Sequence, residues 1–290
     1  MKTILISGGS GFIGTNFINK YSYNYKLVVI LKKSKKNYLW ENENKNKNVK
    51  VIYFSNYENI IRKIKKLNIE IFLNLATLYL KDYDSKKIND LIESNILFPS
   101  LVINSLKKNK IKKIINFGTM MQHYENQKYN PQNFYSATKE AFLKINSFFK
   151  NIFSKKKFYN LKLHDTYGEK DKRIKIIPMI AKCYKNNSIF SLASKKLSLN
   201  ILHIDDVTNA IYLIIEKNIV EDDYMIYSKK FSNIYSMIEK FNKNSSKKIK
   251  FKITNNRLPS RINFKIKKLP LWKQKRFIEK DFLKIINAKN

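Results

Sequence analysis

The chain has 290 residues and a formal net charge of +36, from 58 Lys and Arg against 22 Asp and Glu. Hydrophobic residues at 43% suffice for a sizeable core, no apolar run spans a bilayer, and one cysteine, Cys183, excludes an internal disulfide. Only five basic residues are Arg (Arg62, Arg173, Arg257, Arg261 and Arg276), and the lysines are scattered among Asn and Ile, so the charge reads as compositional drift and not as a nucleic-acid stripe.

The first element is a strand over 3–7, entered at once and without a secretory signal, which favours the cytoplasm. Gly8, Gly9, Ser10, Gly11, Phe12, Ile13 and Gly14 follow it directly and hold four of the chain's six glycines. Gly8, Gly11 and Gly14 give the spacing GxxGxxG between a strand and an amphipathic helix over 11–21. Backbone N–H groups at such a helix N-terminus can face a pyrophosphate. Strands are expected over 26–31, 49–54, 69–75, 114–118 and 159–163, with helices over 58–67, 89–109 and 135–153. This alternation predicts an α/β fold, a Rossmann-type doubly wound parallel sheet with right-handed crossovers. Residues 33–48 are low in complexity and read as a solvated loop.

The second strand ends in Leu31-Lys32-Lys33-Ser34-Lys35. Lysines and a hydroxyl suit a ribose 2′-phosphate, and no carboxylate follows the strand, so NADP(H) is favoured and NAD(H) possible. Further along, the strand over 114–118 runs into Gly118 and Thr119 at the sheet edge where ligands bind. Sixteen residues later Tyr135 and Lys139 form a YxxxK pair, one face of a helix apart by one turn. The spacing itself is weak evidence, because this composition yields about three such pairs by chance. Tyr83/Lys87 precedes the strand and Tyr124/Lys128 lies in the loop after it; only Tyr135/Lys139 returns to the edge.

After residue 165 the rhythm changes. A helix over 174–186, strands over 188–192 and 197–202, a helix over 205–217, a strand over 224–227 and a tail helix over 273–286 predict a smaller lobe. The expected division is a dinucleotide-binding domain over 1–165 and a substrate-binding lobe over 166–290, interleaved with the first. No HxH or HExxH spacing supports a metal. His203 reads as a structural residue beside Asp205 or Asp206, and Trp272 as an anchor for the tail.

Together these segments resemble the extended short-chain dehydrogenase/reductases of the nucleotide-sugar epimerase/dehydratase type. Asn74-Leu75-Ala76-Thr77 is similar to the fourth-strand segment beside the cofactor, and Asn95 to the helix-four asparagine. Leu163-His164-Asp165-Thr166-Tyr167-Gly168 resembles the stretch after the sixth strand, and Leu202 to Val207 the motif vHVdDva. Gly118-Thr119-Met120-Met121-Gln122-His123-Tyr124 is similar to GTxWQHY of a sugar-nucleotide 4-reductase subgroup, the CDP-abequose-synthase-like one. Glu169 stands in place of a proline and Ser55 in place of an aspartate.

The resemblance implies Thr119, Tyr135 and Lys139 as the catalytic trio. It implies cofactor contacts from Gly8 to Gly14, Lys32, Lys33, Ser34, Leu75, Ala76, Thr77, Tyr135 and Lys139. Met120, His123, Asp165 and Arg173 are implied substrate contacts. The implied reaction is NAD(P)H-dependent reduction of a nucleotide-activated 4-keto-deoxysugar for surface polysaccharide. Met120-Met121 replace the Asp-Glu pair of the dehydratases, which disfavours loss of water. A 4-epimerase with tightly bound NAD is one alternative, and a non-catalytic dinucleotide-binding or RNA-associated protein another. A homodimer is expected by analogy, with no nucleic acid and no membrane partner.

Overall fold

The structure, a computed structural model, describes residues 1–80, 82–153, 155–255, 262, 264 and 266–288. The chain divides into two compact units. The first comprises Met1–Leu163 with the returns Ile211–Met225 and Ile262–Pro270.

The first unit alternates strand and helix: β1 (Thr3–Ser7), α1 (Phe12–Tyr21), β2 (Lys26–Lys32), α2 (Lys35–Glu43), β3 (Val49–Phe54), α3 (Tyr57–Lys65), β4 (Ile71–Asn74), α4 (Ser85–Ile92), α5 (Phe98–Ser105), β5 (Lys113–Thr119), α6 (Phe134–Ile152) and β6 (Lys157–Leu163). The sheet has seven strands in the order Asp223–Ile226, β6, β5, β4, β1, β2, β3. Neighbours from β6 to β3 pair in parallel. This is the doubly wound order, and the winding reverses between β1 and β4, where such sheets open a crevice for ligands. The central strands are apolar runs because helices cover both faces: in β2, Leu27 to Leu31 are all buried.

Residues 33–48 are a loop only in part. Lys35–Glu43 is helical, with Ser34 as its N-cap accepting from the Asn37 N–H. Its one buried residue, Trp40, donates from Nε1 to Thr15 Oγ1 at 2.8 Å. A helix polar on nearly all sides lacks the 3.6-residue pattern that reveals one; besides Trp40, Tyr38 packs on Tyr53, whose hydroxyl donates to Glu41. The long helix expected over 89–109 begins earlier, at Ser85 behind the Asp84 cap, and contains a π-turn at Glu93–Leu97. Pro99 accounts for the turn. It has no N–H for Asn95, four residues back, and its ring would crowd that carbonyl in a regular helix.

Among the described residues the second unit has three two-stranded pairings: Asp165–Tyr167 with Ile201–His203, Phe190–Leu192 with Phe251–Ile253, and Ser198–Leu199 with Ser232–Asn233. Helices Ile176–Lys185, Ile234–Asn244 and Ile278–Asn287 pack a core around Ile180, Leu192, Ile238 and Phe282. The strand expected over 197–202 is split at Asn200, whose side chain bonds the Ser228 backbone through both Oδ1 and Nδ2 at 2.8 Å. The helix Ile234–Asn244 is an element the periodicity did not reveal.

In the first unit α6 starts from a capping box. Asn133 Oδ1 accepts from the Ser136 N–H at 2.9 Å, and Ser136 Oγ accepts from the Asn133 N–H at 3.0 Å. Asn133→Ala should therefore cost about 1 kcal/mol in urea unfolding, and Asn133→Asp, which keeps the acceptor, much less. Equal losses in both variants would contradict this account of the helix start.

Candidate active site

The glycine loop joins β1 to α1 at the switch point. Gly8 has φ +70°, and a Cβ there would lie 2.5 Å from Leu75 and Ala76 backbone atoms. Glycine thus lets the ends of β1 and β4 approach. A Cβ on Gly14 would lie 2.6 Å from the Gly8 and Gly9 carbonyl oxygens. At Gly11 a Cβ would meet only the Gly8 oxygen, at 3.1 Å, so that face of the loop is open. The α1 N-terminus has no side-chain cap and no carboxylate in its first turn. An open glycine face beside an uncapped helix start fits the pyrophosphate of a dinucleotide.

The loop is tied to the end of β2. Ser10 Oγ donates to Asn37 Oδ1 at 2.8 Å, and Asn37 Nδ2 donates to the Lys32 carbonyl at 2.7 Å. Lys32, Lys33 and Ser34 therefore lead into the N-terminus of α2. A carboxylate not foreseen from the sequence also reaches this corner: Glu93 lies 3.8 Å from Lys32 Nζ and accepts from the Tyr57 hydroxyl.

After β4, Ser7 Oγ donates to Asn74 Oδ1 and accepts from the Ala76 N–H, which sets the path of Leu75, Ala76 and Thr77. Asn95, in the π-turn, is a hub. Its Oδ1 accepts from Thr77 Oγ1 and the Leu78 N–H, and its Nδ2 donates to the Leu78 carbonyl and to Thr138 Oγ1. Thr138 in turn donates to the Tyr135 carbonyl at 2.7 Å. The loop after β4 is thereby fastened to the turn of α6 that carries Tyr135 and Lys139.

Thr119 ends β5 and is buried; its Oγ1 accepts from the Met121 N–H at 3.2 Å. A hydroxyl that accepts in this way keeps its own proton to donate. Tyr135 is the second residue of α6, and Tyr79 packs edge-on against its ring with centroids 5.0 Å apart. Lys139 lies one turn on, and burial alone pulls its ammonium down to about 8 from 10.5. Met120 and His123 are buried, at 1% and 3% exposure. His123 stacks on Phe264, and its Nε2 accepts from Lys162 Nζ at 2.8 Å.

Asp165 and Arg173 belong to the second unit. Asp165 pairs with Lys175 at 2.8 Å. Arg173 is held by Asp171 through Nε and Nη2, and donates to the carbonyl and hydroxyl of Thr166. His203 accepts the Asp205 N–H on Nδ1, which leaves Nε2–H for Glu169 at 3.0 Å. Glu169 also pairs with Arg276 and Lys284, and Tyr167 donates to Asp281. The residue in the proline's place thus has a structural task. Trp272 is buried and donates to the Asp206 carbonyl at 2.9 Å. Among the described residues no cluster of His, Cys, Asp and Glu could hold a metal, and no helix is long and apolar enough to cross a membrane.

Residues 4–227 match the model of the NAD dependent epimerase/dehydratase family. CDP-abequose synthase of Salmonella muenchen is 24% identical over 253 residues, covering 85% of this chain and 83% of the relative. That of Yersinia pseudotuberculosis is 26% identical over 244 residues, covering 81% and 79%. UDP-glucuronic acid 4-epimerase from Bacillus cereus, solved in complex with UDP-glucuronic acid and NAD, shares the fold with a TM-score of 0.81. It is 16% identical, and the match covers 98% of each chain.

A buried ammonium carries a cost with a definite pH dependence. The folded pKa of Lys139 lies below its ordinary value. The cost is present in full below about pH 8 and fades as pH rises toward 10.5, where only the unfolded chain still binds the proton. Lys139→Met should raise stability at pH 7 by about 1–3 kcal/mol, from 1.36 kcal/mol per pKa unit. The gain should shrink by pH 10. Denaturant unfolding at both pH values checks this, and a less stable variant at pH 7 would contradict it.

Proposed function

The chain belongs to the NAD dependent epimerase/dehydratase family, and within it we propose that it is an NADPH-dependent reductase of a nucleotide-activated 4-keto-deoxysugar, acting in the cytoplasm. The observation that carries the reading is the Lys139 ammonium, buried one helical turn from Tyr135. A cation there stabilises the phenolate that remains when Tyr135 gives up its proton. Met120 and Met121, directly after Thr119, have no acid–base chemistry, which argues against removal of water.

NADPH, when bound, supplies a hydride to the keto carbon. Tyr135 donates the proton to the carbonyl oxygen, so that ketone, hydride and proton balance as an alcohol. Thr119 donates its hydroxyl proton in a hydrogen bond to the same oxygen. Lys139 holds the nicotinamide ribose and stabilises the Tyr135 phenolate. The loop from Gly8 to Gly14 holds the pyrophosphate at the start of α1, Leu75, Ala76 and Thr77 line the cofactor, and Lys32, Lys33 and Ser34 take the 2′-phosphate. Met120 and His123, the other implied substrate contacts, are buried, and His123 is engaged by Lys162 and Phe264, so this reading makes neither a substrate contact. The second unit binds the nucleotide sugar, with Asp165 and Arg173 as its candidate contacts; a guanidinium suits a diphosphate. Exposed Ile92 and Leu97 beside α4 and α5, and Phe148 and Ile152 on α6, support a homodimer formed through these helices.

A second reading is a 4-epimerase that keeps NAD bound. Glu93 favours it, since a carboxylate beside Lys32 suits ribose hydroxyls better than a phosphate.

Tyr135→Phe should lower turnover on a 4-keto sugar nucleotide at least a hundredfold while the Kd for NADPH, by calorimetry, changes less than threefold. Near-normal turnover would remove Tyr135 from the mechanism. Cofactor choice has its own test: KM should be at least tenfold lower for NADPH than for NADH, and the reverse order would overturn the 2′-phosphate assignment.

A further inference from the structure

Behind Thr119 lies a buried polar group whose members come from three elements. Gln122, fully buried, accepts the Thr119 N–H on Oε1 at 2.9 Å and donates from Nε2 to Glu140 Oε2 at 2.6 Å. Glu140 follows Lys139 on α6, and its Oε1 is buried without a hydrogen bond. From β6, Lys162 lies under the same spot, 4% exposed, with its Nζ on His123 Nε2. Burial pulls the Lys162 pKa down, and attraction from Glu140, then Asp223 and Tyr129, opposes this. His123 is held neutral by burial and by Lys162, with Nδ1–H directed at the Gln127 carbonyl.

Gly118 makes room for this group. A Cβ there would lie 2.7 Å from Gln122 Oε1 and 3.0 Å from Lys162 Cγ. The arrangement does more than fill space. An amide has a distinct acceptor and donor end, and here each end has a partner that only that end can satisfy. The backbone N–H of Thr119 must have an acceptor, and the Glu140 carboxylate must have a donor.

We propose that Gln122, oriented by Glu140, is a positioning residue that fixes the backbone of Thr119 and so aims its hydroxyl at the substrate oxygen. Its effect passes through Thr119; it does not touch the reacting atoms. The proposal rests on the reading of Thr119 as a catalytic residue, and it adds a directional link from α6 to the end of β5. Both the phenol and the hydroxyl are then referenced to one helix, Tyr135 by residence and Thr119 through the Glu140–Gln122 bond.

The link can be broken and remade by exchange. Gln122→Glu removes the donor to Glu140 and sets two carboxylates against each other, which drives the side chain off the Thr119 N–H. Adding Glu140→Gln restores one donor and one acceptor, and returns one negative charge beside Lys162. With a 4-keto sugar nucleotide and NADPH, Gln122→Glu should lower kcat at least tenfold, with the Kd for NADPH within threefold of wild type. The double variant should recover kcat to within about threefold. Amide hydrogen exchange at Thr119 reports the link without turnover: fast in the single variant, slow in wild type and in the double. Undiminished kcat in Gln122→Glu, or a folded double variant no better than the single in both kcat and exchange, would overturn the proposal. If wild type reduces no such sugar, the reductase reading fails while the exchange pattern still decides the link. Slow exchange at Thr119 in Gln122→Glu would then count against it.

Discussion

The constraint that the surrounding bonds answer is an ammonium placed where water is scarce. Lys139 is buried on the inner face of α6, with burial alone depressing its pKa. A charge so placed lowers stability, and it is tolerated because the helix under it is held from several sides. Asn133 caps its start, Asn95 grips it at Thr138, and Gln122 bonds Glu140. These bonds are short-range and directional, so the turn from Tyr135 to Lys139 has little freedom. In the proposed reduction, a phenol and an ammonium on one rigid turn give a proton donor with a stabiliser for its conjugate base.

The sheet accounts for where this turn lies. Parallel order brings the carboxyl ends of β1, β4 and β5 side by side, and each end leads into a segment with a defined task. After β1 comes the glycine loop, after β4 the Ser7- and Asn95-bound segment, and after β5 the Thr119 cap. Glycine stands where neighbouring atoms leave no room for a side chain: a Cβ on Gly8, Gly9, Gly14 or Gly118 would come within 2.7 Å of another atom. In a chain so rich in Lys, Asn and Ile, these positions show steric demand setting the residue where composition otherwise runs free.

Much of this was legible in advance. Buried parallel strands are apolar runs bounded by turns, so β1 to β6 could be read within a residue or two. What escaped had a physical reason. In the helix α2 only Trp40 is buried, with Tyr38 and Leu39 exposed, so periodicity was blind to it. Glu93 and Lys162 reach their partners from remote parts of the sequence, and Tyr79 meets Tyr135 across 56 positions. In the second unit the strands Asp165–Tyr167, Ser232–Asn233 and Phe251–Ile253 are two or three residues long, too short for alternation to register.

The central claim is that the buried Lys139 and its neighbour Tyr135 serve net reduction of a ketone. Its most direct measurement uses NADPH deuterated at the transferable position, together with a nucleotide-linked 4-keto-6-deoxysugar. The account predicts steady oxidation of the cofactor, one deuterium per product molecule at C4, and an equal amount of alcohol formed. Interconversion of two alcohol epimers with no net cofactor oxidation and no deuterium in the product would contradict it.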